Sequence, residues 1–353
     1  MVAILPGGGS GFVPAAEQSA RLRVDFARNP ARFAINDYAR NVPVDKTRGF
    51  YPRISNANAM RIVSGSDFAW PDGADRPRGT PAEIEWIEYE TKRSAYSFEI
   101  GNIALEQSEL GDLVALNGRH KTQLAMTDRT VQAVNAMTDS SNFPTGHSDT
   151  ATNVGGGVWS GSTAANGHIA KTFQNVRDQI IKSTGGSIQD QDLAVVIDPS
   201  TANLIANSPE YQQFVINHPA AISAAESTGI FQTYGLLPRF KGVRIIVEDT
   251  AVLASRQDNV GDLDAAVSGA GYLLSGGTTT KGKAVFLVPP SGPEGIDGVT
   301  DFSTISILEK SPVEMFTKDD PDHERTLGSV SQNMVPEITA GVTGFLVTNV
   351  DAA

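Results

Sequence analysis

The chain has no cysteine, which excludes disulfides, thiolate metal sites and a cysteine nucleophile. It has no apolar run approaching the 18 residues of a membrane span, and its first residues, MVAILPGGGSGF, lack the basic leader of a secretion signal. Histidine is scarce: five residues, at 120, 147, 168, 218 and 323, with no HExxH pairing. There is no GxSxG elbow, no phosphate-binding Walker loop and no repeat of fixed period. The glycine clusters at 7–11, 155–157 and 269–271 do not combine a preceding strand, GxGxxG and a downstream acid, so they do not make a dinucleotide site. No cofactor and no resident metal are expected.

What remains is a folded chain of 353 residues, 40% apolar and 19% charged, long enough for two or three domains. Its net charge of −12 is unevenly spread. Between Ala20 and Arg53 eight Arg or Lys face three Asp, a local +5 that leaves −17 for the rest. Such an acidic body is a poor general nucleic-acid binder.

The organising stretch runs from Ile103 to Met137. It contains no proline, and Ser108, Glu109 and Asp112 offer a helix start before Asp139 stops it. Thirty residues from Glu109 to Thr138 would make a rod roughly 45 Å long. Its apolar stripe, Leu110, Leu113, Val114, Leu124, Val131 and Val134, is interrupted by Asn117, Lys121 and Asp128, which argues against a coiled coil. Gly111 and Gly118 each cost about 1 kcal/mol in a helix interior, so packing must hold the rod.

Before the rod, residues 1–48 read as a basic arm and 49–100 as two long strands around the turn-rich Pro71–Pro81 segment. Ile84 and Trp86 alternate with glutamates, then the phase slips to Ile87 and Tyr89, which predicts a bulge. A two-stranded ribbon is marginal alone in water. Its charged residues, Arg53, Arg61, Arg76 and Arg78 against Glu83, Glu85, Glu88 and Glu90, are candidates for a subunit interface, where exposed pairs set register more than affinity.

After the rod, Ile169, Phe173, Val176 and Ile180 mark a second amphipathic helix closed by Gly185-Gly186. Leu193–Ile197 is a buried strand; Asp198-Pro199 and Ser208-Pro209 are helix starts. Val243–Val247, Tyr272–Leu274 and Ala284–Val288 add strands, making residues 193–300 a mixed α/β unit. Strands return at Ser303–Leu308 and Val313–Thr317, followed by an acidic turn, Asp319, Asp320, Asp322, His323 and Glu324, and a strand-like end from Gly341 to Val350. The turn's ligand order does not match a calcium loop, and clustered charge of this kind is usually a solvated face.

The order of parts, together with Val158-Trp159, the helix ending Ile180–Gly185, the Leu193–Ile197 strand with Asp198–Leu204, and Leu237–Val247, resembles the major capsid proteins of tailed bacteriophages, the Hong Kong 97-type fold. The resemblance implies an α+β fold with an N-terminal arm (1–48), an extended β-ribbon loop (49–100), a peripheral domain with a long spine helix (101–192 and 301–353) and an α/β axial domain (193–300). It implies a non-enzymatic head protein of the virion that assembles itself, as pentamers and hexamers, into an icosahedral shell around double-stranded DNA without sequence specificity. Its partners would be a separate scaffold protein, a portal and a decoration protein, with no membrane, and assembly would take place in the host cytoplasm. Some members of that family weld subunits through a lysine on the extended loop; residues 49–91 contain none. The alternatives are an encapsulin-like compartment with the same fold and a soluble hydrolase using the acidic turn or the glutamate series.

Overall fold

The computed structural model describes residues 28–54, 72, 75, 84–106, 113–189, 192–218, 225, 228–253, 270–275, 282–290 and 303–351. In chain order these form α1 (Ile35–Tyr38), β1 (Arg40–Pro43), β2 (Arg48–Ile54), β3 (Ile84–Glu90), β4 (Lys92–Gly101), α2 (Asn102–Glu106), α3 (Leu113–Thr138), β5 (Ser148–Thr150), α4 (Ala151–Gly155) and α5 (His168–Ser183). Next come β6 (Ala194–Ile197), α6 (Pro199–Asn207), α7 (Pro209–Asn217), α8 (Gly229–Tyr234), β7 (Arg239–Phe240), β8 (Val243–Val247), β9 (Ala251–Leu253) and β10 (Ala270–Tyr272). The last are β11 (Lys283–Leu287), β12 (Ile305–Asp320), β13 (Arg325–Ile338) and β14 (Phe345–Thr348). The chain divides into two compact units, one built from Lys92–Arg129 and Ser311–Met334 with the described end of Met1–Arg32, the other from Phe33–Thr91, Thr130–Lys310 and Val335–Ala353.

The larger unit is organised by a six-stranded mixed sheet in the order β5-β14-β11-β6-β8-β7. All four residues of β6 are buried, the signature of a strand covered on both faces. It runs parallel to β8, and α6, α7 and α8 make the crossover between them. The two expected helix starts are present. Asp198 Oδ1 accepts the Thr201 amide at 2.9 Å ahead of Pro199, and Ser208 Oγ accepts the Tyr211 amide at 3.2 Å ahead of Pro209. α5 lays Ile169, Phe173, Val176 and Ile180 into the core. Phe173 meets Phe240 and Phe286 edge-on with ring centres 5.2 and 5.0 Å away, the arrangement the ring quadrupoles favour. Fully buried Trp159 donates its indole N–H to Thr172 Oγ1 at 3.2 Å.

In the smaller unit β4 and β13 pair antiparallel over ten residues, Lys92 opposite Met334 through Gly101 opposite Arg325. The N-terminal part of α3 packs here: Tyr96 Oη donates to Asp128 at 2.7 Å and Gln332 Nε2 to the Ala125 carbonyl at 3.2 Å. Gly118 lies where any Cβ would sit 2.5 Å from Met315 Sδ, so this glycine permits the close approach of β12 and its helical cost is accounted for.

Several expectations need correction. The ribbon has no bulge in β3: seven consecutive residues, Ile84 to Glu90, pair one-to-one with Ile54 to Arg48. By strict alternation Ile84 and Trp86 lie on one face and Ile87 and Tyr89 on the other, so the phase slip reflects two differently covered faces and not an inserted residue. β4 does not continue that ribbon but joins β13. The two expected strands at 303–308 and 313–317 are one, β12, and the sequence reading lacked its partner β13. α3 is described from Leu113 as 26 residues, about 39 Å; Ser108, Glu109 and Asp112 fall outside the described residues.

Candidate assembly surface

The ribbon of β2 and β3 pairs with no other strand among the described residues. Because alternate side chains point to opposite faces, register sorts it in two. One face carries Tyr51, Arg53, Glu85, Ile87 and Tyr89. Tyr89 is buried, and burial, then the Glu337 charge, pushes the Tyr51 hydroxyl up to about 12. Tyr51, Arg53 and Glu85 line a cleft of about 1340 Å³ whose far wall is formed by Ser141–Pro144 and Gly341–Thr343. The opposite face carries Phe50, Pro52, Ile84 and Trp86 with Glu88. Phe50 is 62%, Trp86 63% and Ile84 51% exposed, so an apolar patch stands open to water.

Of the residues singled out from the sequence, Arg53 pairs with Glu85, Nε to Oε2 3.0 Å, directly across the ribbon. Glu90 pairs with Arg48 at 2.9 Å. Arg48 escaped sequence reasoning, although it sits opposite Glu90 once the register is fixed. Glu88 stands opposite Phe50. Arg61, Arg76, Arg78 and Glu83 lie outside the described residues. These pairs stitch β2 to β3 within one chain.

The acidic turn is engaged by its own neighbours. Asp320 accepts from His323 Nδ1 and Arg325 Nε, each at 3.0 Å, and Thr326 Oγ1 donates to Asp319 at 3.1 Å. The His323 and Arg325 hydrogen bonds hold the Asp320 carboxyl below its usual range. Among the described residues no group of three or more His, Cys, Asp or Glu is placed to hold a metal ion. No described helix is long and apolar enough to cross a membrane.

The root of the N-terminal segment is fastened by a buried polar contact. Tyr38 Oη donates to Glu248 Oε2 at 2.9 Å, and Glu248 Oε1 accepts the Thr250 amide at 3.0 Å. Both side chains are fully buried. Burial raises the Glu248 pKa, Asp249 adds to the rise, and the Thr250 and Tyr38 hydrogen bonds only partly oppose it. The folded state therefore holds a proton that the unfolded chain releases near 4.5. This contribution is fully present below that value and is lost as pH rises from it through the folded-state value. Thermal melts of wild type and Glu248→Gln across that range should diverge in favour of the glutamine chain as pH rises; parallel melting curves would remove the linkage.

No protein-family model and no curated protein sequence matches the chain. Solved structures match it almost from end to end. A phage-related protein from Bordetella bronchiseptica RB50 shares 12% identity at a TM-score of 0.57, covering 96% of this chain and 97% of its own. The mature capsid of bacteriophage PhiM1 shares 15% at 0.53, covering 100% and 93%. The holo-SrpI encapsulin complex from Synechococcus elongatus PCC 7942 shares 10% at 0.51, covering 96% and 95%. Identity at this level is evidence of fold, and the fold is that of tailed-phage major capsid proteins. An encapsulin shares it, so what the likeness defines is a fold common to phage capsids and an encapsulin.

Proposed function

We propose that this chain is a major capsid protein, non-catalytic, whose copies assemble into an icosahedral shell enclosing double-stranded DNA. The observation that carries the reading is the likeness to the PhiM1 capsid over 100% of this chain and 93% of that one, with no large part left over for another task. The open ribbon supports it: a two-stranded element with an uncovered apolar face gains stability only by covering a neighbour. Within this reading residues 1–48 are the arm, 49–100 the extended loop, 101–192 and 301–353 the peripheral domain with α3 as spine, and 193–300 the axial domain. Portal, scaffold and decoration proteins would be the partners, and the virion the destination.

Purified, concentrated protein, with its scaffold if required, should give closed particles of uniform diameter in negative stain. A persistent monomer under all these conditions would sink the proposal. The likeness to the encapsulin complex favours a second reading, a shell around protein cargo. Nuclease-protected DNA in particles from the native host separates the first from the second.

A further inference from the structure

The smaller unit carries a long strand edge that no described strand covers. β4 pairs with β13 on one side and with nothing described on the other. The phase of its hydrogen bonds is fixed by the next amide along. Asn102 donates to the Glu324 carbonyl at 2.8 Å, and these two residues continue the register that sets Gly101 opposite Arg325. In an antiparallel ladder, residues that exchange bonds with their partner alternate with residues whose N–H and C=O point away. Even-numbered residues of β4 therefore bond to β13, and Arg93, Ala95, Ser97 and Glu99 aim both backbone groups outward. These four are exposed, whereas Tyr96, Phe98 and Ile100 on the alternate face are half-buried or buried. A ten-residue edge, about 33 Å long, is a ready template for another strand.

The charges along the edge select the strand that fits it. Arg93 makes no ion pair among the described residues, and Glu99 is held only through Oε2, by Arg325 Nη1 at 2.8 Å. We propose that β4 pairs with β4 of a second copy of this chain, antiparallel about a two-fold axis at Tyr96, so that two sheets become one. The inference rests on the shell reading and deepens it by naming a contact between copies. In this register Arg93 lies opposite Glu99 of the partner subunit, Glu99 opposite the partner's Arg93, and Ala95 opposite the partner's Ser97. Sliding the strands by two residues either way sets Arg93 opposite Ser97 or Gly101 and loses both ion pairs. The edge is thus self-complementary in charge, which is what a two-fold contact requires. Outward N–H and C=O groups of each opposed pair satisfy one another, and the ion pairs fix the register more than they add affinity.

The absence of native cysteine makes the register directly testable. Directly opposed residues have Cα atoms about 5.5 Å apart, within reach of a disulfide, whereas positions 95 and 97 each lie about 9 Å from their own copies. Ala95→Cys and Ser97→Cys chains, mixed, concentrated and mildly oxidised, should therefore give a disulfide-linked heterodimer, at about ten times the yield of either chain alone. Arg93→Glu, which sets like charges opposite each other, should abolish it. So should Ser97→Pro in a second background, Ala95→Cys mixed with Ala95→Cys/Ser97→Pro serving as the control for random collision. Because the Ser97 N–H points away from β13, that proline should leave the thermal melt of the subunit nearly unchanged. No heterodimer in shells or in the concentrated subunit, or equal yield from one variant alone, would overturn the pairing. Protection of the Ala95 and Ser97 amides from hydrogen exchange without a heterodimer would mean that a different strand covers the edge, and would overturn it too. A heterodimer from wild-type-like chains that never close shells would keep the pairing and sink the shell reading instead.

Discussion

A chain in which residues 50–88 are replaced by a two-residue turn should fold to a soluble subunit with nearly unchanged thermal stability and form no closed shells. Among the described strands β2 and β3 pair only with each other, so their removal takes no strand from any of the three remaining sheets. The cut has to stop at Gly49 and Tyr89. Tyr89 is buried, and its ring packs so closely on Gly49 that a Cβ there would lie 2.7 Å from the hydroxyl. Beyond Thr91 the same surgery would strip residues from β4 and orphan the β13 edge. Size-exclusion chromatography, a thermal melt and a micrograph read all three outcomes. Normal shells from the shortened chain would take the ribbon out of assembly; a collapsed melting temperature would make it part of the fold and not a fastening.

The second large effect lies in the core of the α/β unit. α5 begins at Gly167, which sits at φ 60 and has no side chain to cap the helix. Glu210, on the first turn of α7, does so from outside: Oε1 accepts the Ala170 amide at 2.8 Å, and Oε2 accepts the Ile169 amide at 3.1 Å and the Ser162 hydroxyl. Glu210→Ala leaves the Ala170 amide and the Ser162 hydroxyl without this acceptor, while the Ile169 amide keeps Ser162 Oγ at 3.3 Å; at about 1–3 kcal/mol for each of the two, the loss is about 4 kcal/mol. At about 2–4 °C per kcal/mol the melting temperature should fall by about 10–15 °C, and Glu210→Gln, which keeps one acceptor oxygen, should recover part of it. A change of only about 1–2 °C by calorimetry would mean that water replaces the carboxylate at little cost.

These two sites also mark what the sequence could and could not reveal. Asp198-Pro199 and Ser208-Pro209 were legible because capping is local: a donor and an acceptor three residues apart decide it. The Glu210 cap spans 40 residues to Ala170 and has no local signature. β13 was missed because Ser329, Ser331, Gln332 and Asn333 break the apolar pattern of a strand, whereas Gln332 is buried and spends its amide on the Ala125 carbonyl. The apolar stripe of α3 was read correctly as helical, but of its described members only Val134 is buried, and the buried side is otherwise made by Gly118, Ala125, Met126, Ala133 and Met137. Ribbon charges were legible as a set; which of them meet followed only from register, which pairing and not composition decides. The capsid-like order of parts was recognisable without close sequence likeness, since identity to structures of the same fold is 10–15%.

The place of β14 in the six-stranded sheet carries a consequence for timing. Residues 345–348 do not cap an edge; they fill an interior slot between β5 and β11, and Val350 just beyond them receives the Trp159 amide at 2.7 Å. A nascent polypeptide thus lacks an inner plank of its main sheet until residue 348 has been made, however much of the α/β core precedes it.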